Sequence, residues 1–212
     1  MDHTTITFVT ENVNKVADVA GILGQIGIVV QQHAVELSEL QGTSANIVID
    51  KCRNAAKIVG GPVLVEDTSL CFKAIGDLPG PYMLVETPPS SAPVSKWFLE
   101  ALGPQRLHLL LAGFSDYRAQ AVSTIGYSQG PGHVPILFQG RADGTIVPAR
   151  GSVNFGWHCC FEYGSTNLTF AEMGDQEKHK VSHLGKALDR FIAWLLTGSN
   201  PALEVQKNLL NA

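Results

Sequence analysis

Residues 61–82, GPVLVEDTSLCFKAIGDLPGPY, decide how this chain is read. The stretch opens on an apolar run, Pro62-Val63-Leu64-Val65, bounded by Gly60-Gly61, which suits a short central strand better than a helix. Two adjacent carboxylates, Glu66 and Asp67, come next, ahead of a segment rich in turn residues. The charge begins where a strand should leave the core, so the expectation is a strand at 63–65 followed by an acidic loop. Open α/β sheets bind ligands beyond the carboxyl ends of their strands, and acid pairs so placed suit a metal. A solvated acidic loop is the plainer alternative.

Upstream, residues 5–9 read as a strand, followed by Thr10-Glu11-Asn12 and a helix with Val16, Val19, Ala20 and Leu23 at helical spacing. Thr10 or Asn12 can cap that helix, and the N–H groups of its first turn form an anion site to which Lys15 would add a full charge. An ordinary capped helix with a surface lysine fits the same residues. A second strand is expected near 27–32. A helix over 44–59 carries Ile47, Val48, Cys52, Ala55 and Ile58 on one stripe. Lys51 lies off the stripe, either solvated or facing a ligand.

Downstream, 83–95 is a Pro/Ser-rich stretch, read as a surface loop before a helix at Lys96-Trp97-Phe98-Leu99. Residues 118–127 and 134–140 read as paired strands across the turn SQGPGH, with 145–148 a third, which suggests an antiparallel lobe. Phe155-Gly156-Trp157 follows, and a last helix is expected over 182–196. The whole is read as one two-lobed domain over 1–196, with 197–212 a peripheral tail.

Composition narrows the function. The chain has 212 residues, 45% hydrophobic and 16% charged, enough to bury a sizeable core. A net charge of -4 without a Lys/Arg run argues against nucleic acid as a partner. No stretch approaches the roughly 20 apolar residues of a membrane span, and the start, MDHTTITFVT, has no signal-like pattern. A cytoplasmic protein with no membrane partner is the expectation. Cys52, Cys71, Cys159 and Cys160 form no disulfide framework. His158 beside Cys159-Cys160 invites a zinc reading, but successive residues rarely point at one ion, and partly buried thiols fit better.

The motifs together resemble the inosine triphosphate pyrophosphatase family. The resemblance is carried by TENVNK at 10–15, ELQG at 39–42, VLVEDTSL at 63–70, LPGPY at 78–82, KWFLE at 96–100, FQGRADGTIV at 138–147, FGW at 155–157, FAEM at 170–173 and VSH at 181–183. It implies an α/β fold with a long mixed central sheet, flanking helices and two lobes around a nucleotide cleft, as a homodimer. The activity implied is hydrolysis of the non-standard purine nucleoside triphosphates ITP, dITP and XTP to monophosphate and pyrophosphate. By the same resemblance Thr10, Asn12 and Lys15 grip the phosphates, helped by Lys51 and Lys178, with Lys96 a further substrate contact. Glu39 and Asp67 hold magnesium, Asp67 or Glu66 activates the water, Phe155 and Trp157 frame the base, and His183 reads its edge. These roles suit a reaction in which positioning and electrostatics carry most of the rate.

Three departures fall on functional positions. Glu11 stands where the family has glycine, and a carboxylate about 5 Å from a phosphate charge would cost on the order of 3 kcal/mol at an effective dielectric of 20. His158-Cys159 replaces Asp-Pro after FGW, and Leu184 replaces the arginine after Ser182-His183. Both changes touch base recognition, so His158 and Leu184 join the substrate-binding candidates and base selectivity is expected to be altered. The alternative is a catalytically weakened relative serving as a nucleotide-binding or interaction module.

Overall fold

The computed structural model describes residues 5–35, 37, 40–83, 99, 102–164 and 166–198. The expected Lys96 helix is described only at Leu99, and the Pro/Ser-rich stretch from residue 84 and the tail from residue 199 lie outside the described residues, as does Glu39.

In chain order the strands are β1 (Thr5–Val9), β2 (Val29–His33), β3 (Val63–Phe72), β4 (Pro79–Gly80), β5 (Arg118–Ser128), β6 (Ile136–Ile146) and β7 (Phe161–Tyr163). The described α-helices are α1 (Val13–Leu23), α2 (Ser44–Val59), α3 (Asp175–Val181) and α4 (His183–Thr197). The seven strands form one mixed sheet in the order β2-β1-β3-β5-β6-β7, with β4 added to β3. β1 pairs parallel with β2 and β3, whereas the β3–β4 and β6–β7 pairs are antiparallel.

The chain falls into two compact units. The first comprises residues up to Asp67, Ser123–Gly140 and everything from Leu184 on. Its core has two parts. Ile6, Phe8, Leu64, Ile125 and Phe138 pack with Val19 of α1 and Leu188 and Phe191 of α4. Val9, Val63, Val65 and Leu137 pack with Val48, Cys52 and Ala55 of α2. Alternate residues of a strand point to opposite faces, so α1 and α4 cover one face of this part of the sheet and α2 the other. Gly126 of β5 lets α2 sit close, since a Cβ there would stand 2.6 Å from Val48 Cγ1.

The second unit comprises Thr68–Val122 and Arg141–His183. It is built around Trp157, Phe161 and Phe170, packed with Leu70, Phe72, Leu107 and Leu111.

Two strands run longer than their sequence suggests. β3 continues seven residues past Val65 to Phe72, and the residues expected to form an acidic loop are buried strand: Glu66 and Asp67 are 6% and 4% exposed, Thr68 6% and Ser69 1%. The two buried carboxylates are each ion-paired with a lysine. β6 likewise runs unbroken from Ile136 to Ile146, absorbing the start of the expected third strand. Gly144 is no break there: the ring of Phe161 and the carbonyl of Glu162 occupy the space a side chain would need, with Phe161 Cζ 2.6 Å from the Cβ position. β2 begins at Val29, two residues later than expected, because Gly27 with φ of 77° closes the turn after α1. Among the described residues no helix is long and apolar enough to cross a membrane.

Candidate active site

The sequence TEN at 10–12 turns β1 into α1. Thr10 is buried between β1 and β2, its N–H donating to the His33 carbonyl at 3.3 Å and its carbonyl accepting from Gln32 Nε2 at 3.0 Å. Its Oγ1 accepts the Asn12 N–H at 3.1 Å. Asn12 is the N-cap: its Oδ1 accepts from the N–H groups of Asn14 and Lys15 at 3.0 and 3.2 Å. Oδ1 is thereby committed to the helix, and Nδ2 is the end that could donate to an anion. Glu11 sits half-buried in the bend between these two anchored residues.

Strand alternation divides the acid pair. Leu64 belongs to the core under α1, and Val63 and Val65 to the core under α2. Two residues on from Leu64, Glu66 meets Lys15 of α1, with Lys15 Nζ 2.8 Å from Oε2. Two residues on from Val65, Asp67 meets Lys51 of α2, with Lys51 Nζ 3.2 Å from Oδ1. The two carboxylates therefore face opposite sides of the sheet, each opposed by one lysine, all four side chains largely buried. Lys51, off the apolar stripe of α2, is largely buried and paired with Asp67 rather than solvated. A residue that sequence reading missed completes the group: Ser123 of β5, fully buried, donates its Oγ to Glu66 Oε1 at 2.6 Å. Nothing in AVSTIGY distinguishes Ser123 from Thr124 until the pairing of β5 beside β3 is known.

Among the described residues no group of three His, Cys, Asp or Glu could hold a metal ion. Asp67 offers hard oxygen donors. That suits a cation such as magnesium, which keeps several waters and takes one or two protein carboxylates together with substrate phosphates.

In the second unit the remaining candidates gather around aromatic rings. Phe155 is 38% exposed, and Lys178 Nζ lies 4.9 Å from its ring centroid. The His158 ring lies parallel to Phe155 at 5.9 Å and edge-on to Trp157 at 4.9 Å. His183 stacks on Phe170 at 5.9 Å and stands 5.4 Å from Trp157. Trp157 is fully buried against Phe161 and Phe170, so it backs the two histidines and presents no open face. Its Nε1 is a buried donor with no hydrogen-bond partner among the described residues. Lys178, 5% exposed, reaches Asp175 Oδ1 at 3.4 Å. Burial, with His183 and Lys178 adding positive charge alongside, holds the His158 imidazole well below its ordinary value of 6.5.

Leu184 belongs to the first unit, packed against the core under α1 and α4. The cysteines are thiols: Cys160 Sγ donates to the Trp157 carbonyl at 3.1 Å, and burial pushes Cys160 and Cys52 up to about 12.

Comparison with known proteins finds relatives over most of the chain. The chain is 49% identical over 190 residues to the inosine triphosphate pyrophosphatase of Phaeosphaeria nodorum, spanning 90% of this chain and 93% of that one. It is 50% identical over 189 residues to the Neurospora crassa protein of the same name, spanning 89% and 91%. Among solved structures, a HAM1 protein from Coxiella burnetii superposes with a TM-score of 0.74 at 25% identity, over 92% of this chain and all of that one. The Staphylococcus aureus Ham1 protein matches its fold with a TM-score of 0.72 at 24% identity and the same coverage. A sequence profile of the Ham1 family matches residues 6–194, and the chain belongs to that family.

Proposed function

We propose that this protein hydrolyses non-standard purine nucleoside triphosphates, ITP, dITP and XTP, to the monophosphate and pyrophosphate. The relatives named inosine triphosphate pyrophosphatase support the reaction class. The observation on this chain that carries it is the buried carboxylate on each face of β3, each matched by a lysine on the helix above it. A triphosphate and a divalent cation together bring the charges that such groups are built to meet.

Thr10, Asn12 and the first turn of α1 would take phosphate oxygens, and Lys15 and Lys51 would offset the charge of the leaving pyrophosphate. Asp67, with Glu39, would hold magnesium, which when bound neutralises the triphosphate and favours ionisation of water. The Asp67 carboxylate would accept the proton as a water oxygen bonds to the α-phosphorus and the bond to the bridging oxygen breaks. Phe155 would meet the base, with Lys178, His158 and His183 at its edge. Lys96 remains a candidate phosphate contact. We read the protein as a cytoplasmic homodimer on the family resemblance alone, which sedimentation would check.

The test is pyrophosphate release with magnesium across ITP, dITP, XTP, ATP and GTP, comparing wild type with Asp67→Asn. Removing the proton acceptor should lower kcat by a factor on the order of 100 or more. If wild type releases no pyrophosphate from any of them above the Asp67→Asn background, the assignment fails.

A further inference from the structure

We propose that Ser123 and Glu66 are positioning residues that hold the Lys15 ammonium in place for the triphosphate. The inference rests on the pyrophosphatase reading and deepens it.

Three contacts carry it. Ser123 is wholly buried on β5, and its hydroxyl hydrogen is directed to Glu66 Oε1 at 2.6 Å. The other carboxylate oxygen, Oε2, is ion-paired with Lys15 Nζ at 2.8 Å. The Glu66 side chain is 1% exposed and that of Lys15 17%, so the chain of contacts opens toward solvent only at the lysine. A buried serine hydroxyl is unfavourable unless it is hydrogen-bonded. Its presence between Val122 and Thr124 is explained by the carboxylate it orients.

The chemistry follows from the donors. Glu66 bridges the Ser123 hydroxyl and the Lys15 ammonium, one carboxylate oxygen to each. Asp67, on the opposite face of β3, is paired with Lys51 of the other helix. Lysine is a flexible four-carbon stem whose rotamers must be restricted when it meets a ligand. Holding it beforehand removes that loss from the binding step. An ammonium has three N–H bonds, so pairing with Glu66 is compatible with donation to a phosphate.

The role is separable from catalysis by steady-state kinetics on ITP with magnesium, using the full chain. Ser123→Ala should raise KM about tenfold, the scale of a lost hydrogen bond to a charged group, with kcat within about twofold. Ser123→Thr, which keeps the hydroxyl, should restore KM. Glu66→Gln should raise KM further and retain kcat, unlike Asp67→Asn. Calorimetric titration with inorganic tripolyphosphate provides an activity-independent readout: Ser123→Ala should bind it about tenfold more weakly than wild type. Loss of kcat in Glu66→Gln at unchanged KM would overturn the proposal, as would wild-type KM and tripolyphosphate affinity in Ser123→Ala, whatever its Tm. If wild type hydrolyses nothing, the pyrophosphatase reading fails and the titration still decides the positioning role.

Discussion

His158 shows most directly how one position sets a measurable property. Its ring is wedged among Phe155, Trp157 and Phe170, facing His183, and Lys178 lies over the Phe155 ring. Folded, it stays neutral, whereas unfolded it takes a proton near 6.5. The unfolded state therefore binds more protons below that pH, and stability falls as the pH drops through about 6.5. Urea midpoints at pH 7.5 and 5.5 should differ more for wild type than for His158→Asn, in the direction of a weaker wild type at pH 5.5. Equal differences would show that His158 titrates alike in both states. At this scale the sequence was only partly legible. Lys15, Lys51 and the acid pair could be named as candidates from residue type and spacing, because charge stands out in an apolar segment. Which lysine meets which acid, and that Ser123 joins them, depends on strand pairing 57 residues apart.

Whole elements were most readable where local chemistry marks both ends. α2 spans Ser44–Val59 as its apolar stripe suggests, since Thr43 caps its start, accepting from the Asn46 N–H, and Gly60 with φ of 73° ends it. β3 was misjudged for a physical reason: Glu66, Asp67, Thr68 and Ser69 break the apolar run, yet local rules give way where function requires buried polar groups. β6 runs on where the expected strands stopped at 140 and resumed at 145, and Gly144 within it answers to the Phe161 ring. The same logic makes Gly126 testable. Gly126→Ala should destabilise the protein by about 1–3 kcal/mol through overpacking against Val48 and Cys52. Val48→Ala in the same chain should recover part of that loss, measured by urea unfolding. A stable Gly126→Ala would mean that α2 shifts freely over β5.

Across the molecule, the two units are not consecutive stretches of chain. The first is assembled from three segments and the second from two, and β3, β5 and β6 each contribute residues to both. Neither core can lose its strands without interrupting the same strands in the other, so unfolding should be a single transition. Hydrogen exchange followed by mass spectrometry in increasing urea should give one midpoint for peptides around Phe8 and Phe191 and for those around Phe161 and Phe170. Two midpoints would establish independent units. The sequence suggested one two-lobed domain from the lack of a linker, but the interleaving itself is a property of topology that no local pattern reports.

The placement of Glu66 and Asp67 on opposite faces imposes a rule of parity on the chain between α2 and the acids. Inserting or deleting one residue in 61–65 would turn each carboxylate to the other helix, setting aspartate toward Lys15 and Ser123 and glutamate toward Lys51. A change of two residues would restore the faces but displace both acids by about 6.6 Å along the strand. Substitutions at Gly61 or Pro62 leave the assignment intact. This short junction therefore tolerates changes of identity far better than changes of length, a constraint invisible to any scan that replaces residues one at a time.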